Sequence, residues 1–518
     1  MAQGALPYEY EVSRSASGLT ALAGLPAVLD LVAVLGLARS IDQHVQLRKI
    51  ARGWSDSQQV LSLMLLNLAG GDCVDDLERL QADDGFQRLL RQVEHLGRPR
   101  HERRELERRF RKGERTRAVP SPTACRHYLE GFCNHSEEAK RGQGSAFVPA
   151  PSEALQGLQR VLTDLVAFAQ QQSPEPVATL DLDATLVPTT KKEALYAYKD
   201  GLAFQPLNVW WAEQELLVRS EFRDGNVGAG HENLRVLKEA LQALPEGIER
   251  VRFRADTASY QSELLCYLEE GHHLRFGRIE FAVGADVTQE FRAAVARLDE
   301  SAWIPIYDYP EAPQGVPVPT GREVAEVVYV PGAYARTKRG EYRFLATRTL
   351  RDQPRLPGAK ESEPPFPVYE VGPLQYKLRG IVTNCRTGDG WDAEDVVRFL
   401  DARCGCSEKA HDELKNDFAG GQLPSKYFGA NAAWWQIAVL SLNLAKLFKR
   451  LALGIEWARK RMKAVRFHVL AVAGRVVETG RRMLVKLSEG AGQAAEILIR
   501  ARQRIGELAR ASPGEAAL

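Results

Sequence analysis

Hydrophobic residues recur every three or four positions through most of residues 1–170, and this spacing predicts a helical region. Ser55 is suited to cap a helix that continues to Leu68, and the Gly70-Gly71 pair is suited to end it. Apolar positions resume at Val74, so the outline is helix, short turn, helix. Because such pairs occur both in DNA-binding domains and in ordinary helical bundles, the sequence leaves both readings open.

The pattern changes after a polar, proline-containing linker at 170–176. Short buried runs then predict strands, with helices between the later ones, which is the order of a mixed α/β domain. The predicted strands are 177–183, 206–211, 216–222, 251–256 and 278–283, and the predicted helices are 233–244 and 263–269.

Three further segments complete the chain. Residues 286–390 are dense in proline and carry short β runs, which predicts a β-rich insertion. Residues 391–445 return to helical spacing, and 446–518 continue it with many basic residues. We therefore expect an α/β core, interrupted by a β-rich insertion and flanked by helical N- and C-terminal domains.

Composition limits the class of protein. The 518 residues carry a net charge of +2 and are 44% hydrophobic, so the chain is globular and is not a polycation. Seven cysteines, an odd number, favour a reducing compartment. Neither a signal peptide nor an uninterrupted apolar span of membrane length is visible, and we expect a soluble, cytoplasmic protein. Cys125, His127, Cys133 and His135 fit no usual zinc spacing, and we expect a core helix there.

Positive charge is concentrated in two segments. Residues 98–117 hold ten Arg or Lys against four Glu, and 446–510 hold sixteen against five. Both could bind DNA phosphates. The alternatives are a solvated helix face with Glu–Arg pairs for the first segment, and a packing or dimerisation helix, or one that meets an anionic membrane, for the second.

Three acidic residues stand out by their position. Asp183 and Asp256 each end a predicted strand, and Glu408 lies near the start of a predicted helix at 407–418. Carboxylates of this kind can hold hard cations such as Mg²⁺, and two such ions can support phosphodiester transfer. The alternative is that the aspartates only cap the following turns. Asp181 points to the same face as Asp183 and could support it from behind.

The helix of Glu408 has a mixed face. Lys415 is two turns after Glu408, and His411 lies between them on the same side. Together with Arg403, just before the helix, these residues could bind a phosphate close to a metal ion. The alternative is a surface face on which Glu408, Asp412 and Lys415 form salt bridges.

Several ordered motifs together resemble bacterial insertion-sequence transposases of the DDE type, group 1. The resemblance covers most of the chain and is strongest over 177–285 and 395–445. The motifs are Leu180-Asp181-Leu182-Asp183-Ala184-Thr185, Phe222-Arg223-Asp224-Gly225-Asn226-Val227, Arg254-Ala255-Asp256-Thr257, Arg403-Cys404-Gly405-Cys406-Ser407-Glu408, Glu413-Leu414-Lys415-Asn416-Asp417 and Gly429-Ala430-Asn431-Ala432-Ala433-Trp434-Trp435.

This resemblance implies a ribonuclease H-like core with the β-rich insertion before its last helix. It implies a catalytic, metal-binding triad at Asp183, Asp256 and Glu408, which would hold two Mg²⁺ or Mn²⁺ ions. Residues 177–285 and 391–445 would form the two parts of the core. A related signature expects Tyr and Arg seven and four positions before the Glu, where this chain has Asp401 and Cys404. Formation of a DNA hairpin intermediate is therefore left open.

The implied activity is cut-and-paste DNA transposition. The helical domain at 1–170 would recognise the terminal inverted repeats, and 446–518 would contact DNA or join two protomers in a dimeric synaptic complex. The alternatives are a metal-dependent nuclease of the same fold without strand transfer, and a non-catalytic DNA-binding regulator. The expected DNA contacts are Arg403, His411, Lys415, Arg104, Arg108, Arg111 and Lys112.

Overall fold

The computed structural model is a mixed α/β protein in which helices from both ends of the chain pack around a large central sheet. The residues that the structure describes are 17–48, 53–95, 99–108, 110, 117–198, 201–308, 317–332, 342–350, 367–371, 374–479 and 482–511.

Eighteen α-helices are present in the described residues, numbered here in chain order. They are α1 Pro26–Val34, α2 Leu37–His44, α3 Asp56–Ala69, α4 Leu77–Ala82, α5 Asp84–His95, α6 Arg100–Arg108, α7 Pro122–Glu130, α8 His135–Glu138, α9 Glu153–Gln172, α10 Asn233–Ala243, α11 Ser262–Glu269, α12 Gln289–Val295, α13 Ala393–Asp401, α14 Ser407–Asn416, α15 Phe428–Leu447, α16 Ile455–Ala458, α17 Met462–Val465 and α18 Gly492–Ala511.

The strands of the described residues are numbered in the same way. They are β1 Leu19–Thr20, β2 Val177–Ala184, β3 Val187–Pro188, β4 Leu195–Ala197, β5 Gly201–Phe204, β6 Leu207–Trp211, β7 Leu216–Glu221, β8 Arg250–Ala255, β9 Glu280–Ala285, β10 Ile304–Asp308, β11 Val318–Val327, β12 Arg343–Leu350, β13 Val368–Val371, β14 Leu374–Thr383, β15 Gly474–Thr479 and β16 Arg482–Leu487.

Local sequence accounts for the bounds of α3. The Ser55 side chain accepts a hydrogen bond from the Gln58 backbone N–H, and the Gln58 side chain accepts one from the Ser55 backbone N–H, which closes a capping box. Gly70 ends the helix with a positive φ of 94°, a conformation that glycine adopts without strain. Most of α3 is buried and it packs against α15. It is thus a helix of the bundle interior, with no exposed face to read DNA bases.

The central sheet has the strand order of a ribonuclease H-like core. Strands β2, β8 and β9 lie side by side and parallel, and β6 and β7 continue the sheet as an antiparallel pair on the other side of β2. Helices α10 and α11 connect β7, β8 and β9. The α/β fold class predicted from the sequence is therefore confirmed.

The β-rich segment extends this same sheet. Strand β14 pairs antiparallel with β9, and β12, β11 and β10 follow outward in that order, so that the sheet reaches ten strands when β13 is included. The strand order is possible because β9, at the edge of the five-stranded core, has a free side for pairing.

Helix α15 is the central support of the core. All but one of its 20 residues are buried, and it packs against α3, α9 and β7. Its Asn443 side chain bonds both the backbone N–H and the backbone C=O of Leu217, which fixes the helix to the sheet. Despite this apolar helix, no helix among the described residues has the length and hydropathy needed to cross a membrane.

The C-terminal segment is not a continuous run of helices, and this part of the expectation is wrong. Strands β15 and β16 form a hairpin, and β15 also pairs with β1 near the other end of the chain. Helix α18 then packs against α1. Because one continuous hydrophobic core runs from Leu25 to Ile505, the domain boundaries proposed from the sequence stay a prediction.

Candidate active site

Two aspartates meet at one edge of the central sheet. Strands β2 and β8 are parallel neighbours with Leu182 opposite Ala255, so Asp183 and Asp256 follow at the same carboxyl edge. The pKa of Asp183 is raised from 3.8 to about 6, mainly by burial; the positive charge of Arg403 opposes this rise and the negative charge of Asp256 adds to it. The two carboxylates are therefore close enough to repel each other, at a place where a cation would stabilise both.

Helix α14 and the turn before it close over Asp183. Arg403 Nη1 lies 3.2 Å from Asp183 Oδ2, and Ser407 Oγ donates to the same oxygen at 3.3 Å. His411 Nδ1 is 3.9 Å from it. The side chain of Asp183 keeps 16% of its surface exposed, so a ligand can still reach it.

The acids of α14 differ in their partners. Asp412 pairs with Arg461 at 2.7 Å, and Glu413 is 1% exposed and lies 3.6 Å from the Lys446 ammonium. Glu408 is exposed and makes no hydrogen bond or ion pair within the described part of the chain. It is therefore the acid of this helix that is free to bind a ligand, and it follows directly after Ser407.

The three carboxylates do not form a compact ligand set by themselves. In the described residues, groups of three His, Cys, Asp or Glu ligand atoms that all lie within 4.8 Å of one another occur elsewhere, at Cys133, His135 and Glu138 and at Cys266, Glu270 and His272. Cys133 and His135 of the first group belong to the cysteine–histidine segment that the sequence assigned to a core helix. Of the residues in that segment, Cys125 alone lies on the buried face of a helix, α7.

A chain of buried hydrogen bonds ends at His411. Trp435 Nε1 donates to Ser220 Oγ at 2.8 Å, Ser220 donates to Asn208 Oδ1 at 2.6 Å, and Asn208 Nδ2 lies 3.1 Å from His411 Nε2. Burial, and the charges of Lys415 and Arg403, lower the pKa of His411 to about 3, so the ring is neutral. Asn208 then donates to Nε2, and the ring proton sits on Nδ1, the nitrogen nearest Asp183.

This geometry changes the role expected for His411. Its side chain is buried against Asp183 and carries no charge at neutral pH, so it lacks the exposed cation that a phosphate contact needs. The hydrogen-bond chain behind it was not found from the sequence. Its sequence signal is Asn208, a polar residue in the otherwise apolar and buried strand β6.

Lys415 and Asp181 also lie where they can affect the edge of the sheet. Lys415 Nζ donates to Thr185 Oγ1 at 3.1 Å, directly after β2. Asp181 is fully buried and takes two hydrogen bonds from Arg254, at 2.6 and 2.8 Å, and Arg254 also donates to the Phe399 carbonyl of α13. Asp181 thus fixes the strands and α13 behind Asp183.

Only some residues of the two basic segments are both described by the structure and exposed. Arg104 and Arg108 are exposed on α6, whereas Arg111 and Lys112 lie outside the described residues. In the C-terminal segment, Arg466 is half-buried and donates to backbone carbonyls at the end of α3, those of Asn67 and Leu68, so part of that positive charge is structural.

Comparisons with known proteins give one family. The family model described as transposase DDE domain group 1 matches residues 9–343 and 368–510. Among solved structures, the chain is similar to a chain in the cryo-EM structure of a piggyBac transposase synaptic complex with hairpin DNA. That likeness has 10% sequence identity and a TM-score of 0.36, and it covers 85% of this chain and 78% of that chain. No curated protein matches the sequence.

Proposed function

Because the chain belongs to the transposase DDE domain group 1 family, we propose that it cleaves the ends of an insertion sequence and joins the freed 3′-hydroxyls to target DNA. The observation that carries the proposal is the pair of aspartates at the sheet edge, with Arg403 bound to Asp183 and Lys415 bound to Thr185 at the same edge. The exposed Glu408 supports it, because it follows Ser407, which donates to Asp183. The proposed catalytic residues are Asp183, Asp256 and Glu408.

The donor atoms fit a hard divalent cation. The group consists of carboxylate oxygens, which Mg²⁺ and Mn²⁺ prefer, and the negative charge of Asp256 raises the pKa of Asp183, so the two lie within range of a shared cation. Asp183, Asp256 and Glu408 would hold the metal, proposed as two ions. When bound, such ions activate a water or a 3′-hydroxyl and stabilise the leaving oxygen.

The surrounding side chains would position these acids and the DNA strand. The neutral His411 would hold its Nδ1 proton on the side of Asp183, 3.9 Å from the carboxylate and too far for a direct hydrogen bond. Arg403 is bound to Asp183 without DNA and would be released to a phosphate when a cation takes its place. Lys415 would contact a phosphate beside the strand end at Thr185.

The partners proposed are DNA and a second copy of the chain. Exposed Arg104 and Arg108 on α6, with Arg111 and Lys112, would bind phosphates of the terminal inverted repeats. The exposed part of the basic C-terminal segment would bind DNA or the second protomer of a homodimeric synaptic complex.

The test is product analysis with duplex DNA carrying the terminal repeat, target DNA and Mg²⁺. We expect cleaved ends and strand-transfer joints, and no products from Asp183→Asn or Glu408→Gln. Asp412→Asn is the matched control on the same helix and should keep activity. Cleavage without joints identifies a nuclease, and binding without cleavage identifies a regulator. Full activity of Glu408→Gln refutes the proposed triad.

A further inference from the structure

A cysteine, a histidine and a glutamate meet where α7 is followed by the short helix α8. Cys133 lies in the turn between the two helices, and His135 and Glu138 are the first and last residues of α8. The Cys133 sulfur, a ring nitrogen of His135 and a carboxylate oxygen of Glu138 all lie within 4.8 Å of one another. One turn of the chain therefore brings together three atoms of the kinds that bind transition metals.

The separation of these three atoms is close to that of a metal site. Zn²⁺ binds sulfur at about 2.3 Å, and nitrogen or oxygen at about 2.0–2.2 Å. In a tetrahedral site, bonds of these lengths place the ligand atoms roughly 3.3–3.8 Å apart. Each pair in the group therefore needs to close by at most about 1.5 Å, which rotation of the side chains can supply.

The first turn of α15 faces the same group. The Gly429 backbone N–H donates to Glu138 Oε1 at 3.1 Å, and the Ala430 backbone N–H donates to the Cys133 sulfur. A Cβ on Gly429 would lie 2.6 Å from the Cys133 Cα and from Glu138 Oε1, so only glycine allows this approach. Backbone N–H groups at the start of a helix stabilise negative charge. They favour the thiolate and the carboxylate that a metal ion needs.

The group is only partly paired within the protein. His135 is exposed, and its ring lies edge-on to Tyr427 with the centroids 5.7 Å apart. Within the part of the chain that the structure describes, the His135 nitrogens make no hydrogen bond or ion pair. Cys133 is hydrogen-bonded to Glu138, and burial, together with the negative charge of Glu138, raises the pKa of Cys133 from 9.0 to about 12. A proton thus lies between sulfur and carboxylate, where a metal cation can replace it.

The mixed set of donor atoms selects the kind of metal. Sulfur, imidazole nitrogen and carboxylate oxygen together suit Zn²⁺, whereas Mg²⁺ and Ca²⁺ take oxygen ligands. The second group of the same residue types is less suited to a metal ion. Its Glu270 already pairs with His272 at 2.6 Å, and its Cys266 is buried on α11.

We propose that Cys133, His135 and Glu138 bind one Zn²⁺ ion, with the fourth coordination position open to solvent. On binding, the Cys133 thiol releases its proton to water, all three side chains donate lone pairs to the metal, and nothing is oxidised or reduced. The ion fixes the turn at 133–138 to the start of α15, and so joins the helical N-terminal part of the chain to the core. Because the protein supplies three ligands and not four, we expect an exchangeable ion that the chain does not need in order to fold.

The first experiment uses Co²⁺ as an optical probe of the full chain after treatment with EDTA and desalting. A cobalt ion bound to a thiolate has a charge-transfer band in the near ultraviolet, which carboxylates alone do not produce. We expect this band to reach its maximum at one equivalent of Co²⁺, and Zn²⁺ to remove it by displacement. Cys133→Ser should abolish the band, and Cys266→Ser should keep it. A band that survives Cys133→Ser but is lost in a Cys404→Ser/Cys406→Ser variant would overturn the proposal.

The second experiment measures zinc affinity and the melting temperature in excess Mg²⁺. Zn²⁺ should raise the melting temperature of the wild type, because it binds the folded chain. His135→Ala should weaken zinc binding by more than about 100-fold, since even loss of a ligand's hydrogen-bond partner costs about 10–100-fold. Glu138→Gln should also weaken it, while the amide oxygen still accepts from Gly429 and keeps the metal-free protein folded.

His127→Ala is the matched control, because His127 is an exposed histidine of α7 that pairs with Glu130 and is outside the group. It should bind zinc like the wild type. Unchanged zinc affinity in both His135→Ala and Glu138→Gln would refute the site, and so would equal weakening in His127→Ala. Neither experiment contains DNA, so these outcomes do not depend on the proposed function.

Discussion

Replacing Asp183 with Asn should make the metal-free protein more stable while it abolishes cleavage. Asp183 is held in a mostly buried position next to Asp256, and burial is the main reason that its pKa rises from 3.8 to about 6. An ionised carboxylate there costs free energy in the folded state. Asn has nearly the same shape and no charge, and its oxygen can still accept from Arg403.

The sign and size follow from proton linkage. Between pH 3.8 and about 6 the folded protein keeps a proton on Asp183 that the unfolded chain has released. The free energy of unfolding of the wild type therefore falls as the pH rises through this range. A difference of roughly two in pKa, at about 1.4 kcal/mol each, bounds the effect at ~3 kcal/mol. We expect Asp183→Asn to be about 1–3 kcal/mol more stable above pH 6, and equal to the wild type below pH ~4.

The assay is denaturant unfolding in EDTA at several pH values, and Glu221→Gln is the control of opposite sign. Burial alone would raise the pKa of Glu221, but Arg223, Arg219 and Arg235 lower it below its ordinary value. Glu221 therefore contributes stability above its unfolded pKa, and that stability is lost as the pH falls through its folded pKa. Glu221→Gln should be less stable than the wild type at neutral pH, with the difference disappearing in acid.

Two results would refute the reasoning. The Asp183→Asn variant could be less stable than the wild type at pH 7, or its gain in the free energy of unfolding could be the same at every pH. Either result would mean that the Arg403 contact outweighs the cost of burying the charge. The Asp183–Asp256 pair would then be stable in the folded protein without a bound cation.

Three other changes test the support of the site. Arg254→Met should lower the free energy of unfolding by about 3–5 kcal/mol, because it leaves Asp181 buried without its partner, and urea melts measure this loss. Asn208→Leu should slow cleavage more than it weakens DNA binding, because it removes the donor that fixes the His411 ring; single-turnover rates and affinities compare the two. Arg466→Met should lower the melting temperature and leave the salt dependence of DNA binding unchanged, because Arg466 bonds backbone carbonyls and not phosphate.

Elements with a strong local signal were predictable from the sequence. Residues 177–183 form a mostly buried strand because they are apolar apart from Thr179, Asp181 and Asp183, and α3 begins at a capping box and ends at glycine. The hairpin β15–β16 was missed because Arg482 and Lys486 are four residues apart with apolar residues between them, a spacing that also fits a helix. Pairing with β1, from the far end of the chain, decides between the two, and no local pattern contains that information.

In the candidate site, too, local sequence patterns do not contain the long-range contacts of the side chains. The sequence placed Asp183 and Asp256 at strand ends, and the parallel pairing of β2 with β8 then follows from a common architecture. On α14, by contrast, the partners of the acidic residues could not be predicted from their spacing. Lys446 of α15 lies 3.6 Å from the buried Glu413, and Arg461 pairs with Asp412, whereas Glu408 is exposed. These partners come from segments that reach α14 only after the core has packed, so no pattern within α14 contains that information.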